Sequence, residues 1–461
     1  HNVFEYIIIE SLPFWRGFLV YLISKHFSSL KKLPMRRLLF IMVLSISTIC
    51  LYAQKTYLHC GQLIDVKQLQ VLKQKTVVIE GNKIVDILDG YAKAGANDKT
   101  IDLKSSTVMP GLMDMHVHLE QETNPNRYLE GFTQNEAEIA FGSLRFAQIS
   151  LLSGFTSVRD LGGSGVNIAM RKAVQKGQIV GPRIYTAGKS IATTGGHADP
   201  TNNYRKDLMG DPGPKEGVIN GPEDAYKAVR QRYKDGSDVI KITASGGVLS
   251  MAASGENPQF TEEEVKAIVA AAKDYGFKVA AHCHGVEAMR RAVIGGVSSI
   301  EHGTLMDESI FPLMKQYGTY LVPTIVAGKS AADSAKIPGY YPPVVAKKAS
   351  EIGPRIQNTF AKAYKAGVKI AFGTDAGVYA HGKNWKEFVY MTEAGMPAIE
   401  AIQSATWNAA DLMGTQAILG SIEKNKLADI IAVDGDPMTN IEVMGKVNFV
   451  MKDGVVYKSK L

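Results

Sequence analysis

The sequence predicts an α/β chain, a (β/α)8 barrel of the TIM type with a small β-sandwich domain formed from both chain ends. Two observations carry this. A short β-rich run ending on a polar residue follows a helix-stopping glycine again and again, as in "SLLSGFTSVRD", "YKDGSDVIKI", "KDYGFKVAAH", "VIGGVSSIEH", "KQYGTYLVPT" and "YKAGVKIAFGTD". Glycine suits the left-handed position that ends a helix, so each one marks a switch from helix to strand. The second observation is that β-rich, turn-punctuated segments, "KTVVIEGNKIVDI" and "LADIIAVDGDP" with "KVNFVMKDGVVY", flank these units on both sides.

Length and composition allow this arrangement. The chain has 461 residues, and an α/β barrel alone takes about 250. Hydrophobic residues make up 45% and charged residues 21%, which places the chain among globular proteins with a large core. The formal charge is +7, but in the first 54 residues Arg16, Lys25, Lys31, Lys32, Arg36 and Arg37 outweigh Glu5 and Glu10. What remains is too small to argue for a nucleic-acid partner.

Residues 1–54 read as an upstream segment followed by an export signal. In "MRRLLFIMVLSISTICLYAQ", Met35 precedes two arginines and an apolar run, with Ala53 before Gln54 as the cleavage point. Met35 is therefore the expected true start, the mature protein has no expected transmembrane span, and a bacterial periplasm is the expected location. Cys50 matches a lipid-anchor motif poorly, and without it only Cys60 and Cys283 remain. Two cysteines make no disulfide framework.

Residues 55–110 and 416–461 are assigned to the β-sandwich, and residues 111–415 to the barrel. Strand candidates fall near 112–118, 155–160, 183–188, 238–243, 278–282, 298–302, 320–324 and 368–374. Eight strands alternating with helices predict a parallel barrel. An open doubly wound sheet is the alternative, but no phosphate-binding glycine fingerprint follows the first strand. One helix is legible in detail. Thr261 and Glu264 form a capping box, and Val265, Ile268, Val269, Ala272 and Tyr275 share a face before Gly276.

In such barrels the reacting groups come from the C-terminal ends of several strands. "GLMDMHVHLE" puts His116 and His118 on one face of the first strand, because side chains two apart in a strand point the same way. A same-face imidazole pair suits a shared metal ion, although two ordinary strand-end histidines are the plain alternative. His282, His302 and Asp375 end strands five, six and eight; singly, they read as hydrogen-bonded histidines and a helix cap. Lys241 in "DVIKITASGG" alternates with Ile240 and Ile242 and so points inward, where an unpaired ammonium is costly. It could serve as a Schiff-base nucleophile, or react with carbon dioxide to form a carbamate that bridges two cations. Only the carbamate uses the histidines and the aspartate as well.

Taken in order, "GLMDMHVHLE", "DVIKITASGG", "AAHCHG", "SIEHGT" and "FGTDAG" resemble the motifs of the amidohydrolase superfamily. The chain is most similar to its metal-dependent dipeptidase branch, of the Xaa-Pro or prolidase type and related to imidazolonepropionase, from about residue 57 to the C-terminus. The resemblance implies two divalent metal ions, with zinc the default. His116, His118 and Asp375 would hold one, His282 and His302 the other, and carboxylated Lys241 would bridge them. It also implies a metal-bridging hydroxide that attacks a scissile carbonyl, with Asp375 moving the proton. His282 is chosen over His284 because it follows the apolar strand directly. His284 is then expected to contact the substrate carbonyl, with His197 and Tyr233 as further substrate contacts. The implied substrate is a dipeptide or N-acyl amino acid, and the implied assembly a homo-oligomer. A cyclic amide or lactone hydrolase, a Schiff-base enzyme and a metal-free binding module remain the alternatives.

Overall fold

The computed structural model describes residues 54–460. The expected export signal, Met35 and Cys50 lie outside the described residues.

Barrel strands form where the sequence places apolar runs after glycine. Leu112–Val117, Phe155–Asp160 and Arg183–Thr186 make one parallel set. Val239–Thr243, Lys278–Cys283, Ser299–His302 and Tyr320–Val322 make a second. Parallel bridges join the two sets, Ile191 to Ile242 on one side, and Leu321 to Ile370 and Val117 to Ala376 on the other. The segment around 370–376 thus acts as the eighth strand, with Met115 N donating to Phe372 O at 2.9 Å. Its close approach requires Gly373, since a Cβ there would collide with Val322 and crowd the His116 backbone.

Helices between the strands bury their apolar faces against this ring. In the helix Glu262–Asp274 the capping box forms as expected, with Thr261 N donating to Glu264 Oε2 at 2.8 Å and Glu264 N donating to Thr261 Oγ1 at 3.2 Å. Val265, Ile268 and Ala272 are fully buried, with Val269 and Tyr275 packed at the margin.

The chain ends share one seven-stranded sheet. Its order is Val455–Ser459, Val447–Lys452, Ile430–Asp434, Lys99–Pro110, Lys55–Asp65, Gln70–Glu80 and Lys83–Asp89. The far edge folds back, because Lys83 bridges Leu427 and Ile84 N donates to Lys426 O at 2.9 Å. The enclosed core includes Leu58, Val77, Ile84, Val108, Ile430 and Phe449. Among the described residues, no helix is long and apolar enough to cross a membrane.

Candidate active site

Side chains from five barrel strands meet at the C-terminal mouth. His116 and His118 leave the first strand, and their Nε2 atoms lie 3.5 Å and 3.2 Å from Asp375 Oδ1 on the eighth. Lys241 Nζ, on the fourth, is 3.2 Å from His116 Nε2. The His302 ring, at the end of the sixth strand, is 5.0 Å from that of His116 and 4.6 Å from that of His282, between ring centres. Residues separated by up to 259 positions, the span from His116 to Asp375, therefore share one small volume.

Most of these imidazoles are held from behind. His116 Nδ1 lies 3.0 Å from Glu301 Oε2, His118 Nδ1 3.0 Å from Gly162 O, and His302 Nδ1 2.7 Å from Thr324 Oγ1. Each contact leaves the other ring nitrogen turned toward the centre, the arrangement by which a second partner orients a metal-binding histidine. His282 is held the other way round, through Nε2 at 3.1 Å from Gly246 O. His302 and Asp375 adopt left-handed backbone, at φ 71° and 58°. Such strain in non-glycine residues clusters at functional sites.

The cluster is electrostatically tense. Burial pulls the Lys241 ammonium down to about 8. Burial, helped by Lys241, holds His116 far below the ordinary imidazole range. His118 rises despite burial because Asp375 outweighs it. Burial lowers His284 to about 4, which keeps that ring neutral.

A cavity of about 280 Å³ opens on this centre, with Val248, Leu249, Ala327, Ile352 and Ile356 among its walls. His284 reaches it from beyond strand five, its ring centre 4.6 Å from that of His282 and its Nδ1 2.9 Å from Thr304 Oγ1. His197 also lines it, stacked on His282 at 4.4 Å. Tyr233 does not join them. It lies on the outer helix Pro222–Asp235, is 56% exposed and stacks on Tyr275, just past the end of the next helix. A residue just ahead of a strand belongs to the opposite mouth of the barrel, so the expected substrate contact is corrected.

The amidohydrolase family profile matches residues 107–457, a span holding every member of this cluster. The chain belongs to the amidohydrolase family. It is 31% identical over 435 residues to an ochratoxinase of Aspergillus niger, covering 88% of this chain and 87% of that one. Among solved structures, it is 54% identical to a Xaa-Pro dipeptidase with methionine bound in its active site. That match has a TM-score of 0.86 and covers 88% of this chain and all of the other. A prolidase complexed with N-methylphosphonate-L-proline matches at 34% identity and a TM-score of 0.81, over 88% of this chain and all of that one. This amidohydrolase is a hydrolase acting on amide bonds.

Other groups that shape the site of this amidohydrolase escape a reading by strand ends. Arg159 is fully buried and donates through Nη2 to Glu301 Oε1 at 2.8 Å, through Nη1 to Ser299 Oγ at 3.1 Å and through Nε to Met115 O at 2.6 Å. It fixes the carboxylate that fixes His116. Lys348 Nζ donates to the carbonyls of Gly247, Ser250 and Ala252 at 2.6–2.8 Å, clamping the loop that carries the Val248 and Leu249 wall. Gly247 itself lies under His197, where any Cβ would overlap the imidazole. The desolvation logic that singles out Lys241 applies equally to an arginine in "TSVRD" and would have found Arg159.

Proposed function

We propose that this protein is a binuclear metal-dependent amidohydrolase that cleaves the amide bond of dipeptides, Xaa-Pro dipeptides among them, or of N-acyl amino acids. The observation that carries the reading is the state of Asp375. Its Oδ1 is buried between two imidazoles yet accepts no hydrogen bond. Ligand atoms of Asp375, His116 and His302 all lie within 4.8 Å of one another. A buried, unsatisfied carboxylate oxygen facing imidazole nitrogens fits a divalent cation.

His116, His118 and Asp375 would hold one ion, His282 and His302 the second, with Lys241 between them as a carbamate. Forming that carbamate joins the neutral amine to carbon dioxide and releases one proton, and the lowered Lys241 ammonium supports it. Zinc suits a set of imidazole and carboxylate donors.

When bound, the two cations supply a water acidified toward neutrality and polarise the scissile carbonyl. Asp375 accepts the proton of the attacking water and returns it to the departing amine. His284, held by Thr304, presents Nε2 to the oxyanion. That role requires the tautomer in which the Thr304 hydroxyl donates to Nδ1. Names borne by the similar proteins, Xaa-Pro dipeptidase, prolidase and ochratoxinase, support the amide-bond choice.

Metal analysis of the purified protein, with a screen of Xaa-Pro and other dipeptides, N-acyl amino acids and lactones, tests the reading. Two ions per chain and amide hydrolysis are expected; full activity without metal, or turnover confined to lactones, overturns it. The Met35–Gln54 segment supports an exported, periplasmic enzyme, which N-terminal sequencing of the mature protein tests.

A further inference from the structure

Beyond the cluster, the cavity is mostly apolar, apart from one cation without a task. Arg127, at the start of the helix Arg127–Thr133, lines the cavity. Its guanidinium makes no hydrogen bond and no ion pair among the described residues, and its Nη1 is buried without a partner. Other cations in the interior of the described residues are committed. Arg159 serves Glu301, Arg183 serves Asp429 and Asp453, and Lys348 serves three carbonyls. The one acidic side chain lining the cavity is Asp375, which sits against His116 and His118.

An unsatisfied buried donor on a charged group costs stability, so this arrangement persists best where a ligand supplies the missing anion. Arg127 is also well placed. The neighbouring Tyr128 hydroxyl donates to Leu249 O at 2.9 Å, tying this turn to the apolar wall. His197 lines the same cavity with its Nδ1 buried and unpaired.

We infer that Arg127 anchors the free α-carboxylate of the substrate, so that this enzyme selects amides whose amine portion is an amino acid with an unblocked C-terminus. The planar guanidinium matches a carboxylate through two parallel hydrogen bonds, and the apolar wall beside it receives a nonpolar side chain. The inference rests on the amide-hydrolase reading and adds a specificity-determining residue to it.

The test uses the metal-loaded full chain and two substrate pairs, Ala-Pro and N-acetyl-L-methionine, each against its C-terminal carboxamide. The wild type should favour the free acids by about 10- to 100-fold, expressed mainly in KM, the range expected for a charge-assisted pair. Arg127→Met should erase that preference by raising KM for the free acids while kcat for them changes little. Arg127→Lys should restore part of it. Should the methionine variant fail to fold by circular dichroism, Arg127→Gln gives the same reading. If the wild type hydrolyses the acids but the variants keep the same preference, or the wild type shows none, the anchor falls and the hydrolase reading stands. If the wild type hydrolyses no dipeptide or N-acyl amino acid, both fall.

Discussion

His116 and Glu301 are 185 residues apart in the chain, yet Nδ1 of one lies 3.0 Å from Oε2 of the other, and both are buried. The contact orients the ring, and Arg159 holds the carboxylate in turn at 2.8 Å. Replacing Glu301 with alanine strands the Arg159 charge in the interior, which should cost about 3–5 kcal/mol. Urea denaturation reads this directly, and an unchanged midpoint would show that the pair contributes nothing. The gentler Glu301→Gln keeps the shape but weakens the hold on His116. Metal affinity, measured by chelator competition, should then fall about 10- to 100-fold.

Asp375→Asn should separate folding from turnover. Asparagine tolerates the left-handed backbone that position 375 adopts at φ 58°, so circular dichroism and the melting temperature should stay near those of the wild type. Turnover should drop by at least about 100-fold, because the amide cannot accept and return a proton. Near-normal hydrolysis by the variant would remove Asp375 from the proton path.

Lys241→Ala should lose metal and activity together. A short carboxylic acid such as propionate, added to the variant, should restore part of both by replacing the missing carbamate oxygens. Full metal occupancy without the lysine would exclude the bridge.

Glu387 predicts a pH dependence of stability that is separate from catalysis. Its carboxyl accepts from Ile325 N and Val326 N, both at 2.8 Å, while burial pushes it up to about 8. In the unfolded chain a glutamate titrates near about 4.3. Between those values the folded state holds a proton the unfolded state has released, so this contribution is complete below the lower value and is lost as pH rises through about 8. Denaturation midpoints followed from about pH 5 to about pH 9 should fall less steeply in Glu387→Gln than in the wild type. Parallel slopes would count against the assignment.

The cluster was largely legible in the sequence because strand periodicity is local. His116, His118 and Lys241 sit on runs whose alternation assigns their faces, and glycine marks where each run begins. Glu301 was not legible, although it precedes His302 directly. Alternation would send the two to opposite faces, but the left-handed φ of 71° at His302 breaks the period and lets both reach the His116 ring. Tyr233 failed for a related reason. Nearness to a barrel strand in sequence does not say at which mouth a residue lies, and position 233 belongs to the preceding helix.

By itself, the sequence determined the repeating strand and helix units, the glycine stops and the identities of the polar residues at the strand ends, all set by interactions within a few residues. Tertiary structure decided which nitrogen of each imidazole faces the centre, which carboxylate stands behind His116, and that Arg127 faces the cavity without a partner. Those outcomes depend on groups brought together across tens to hundreds of positions, and ring closure, not local periodicity, sets such distances.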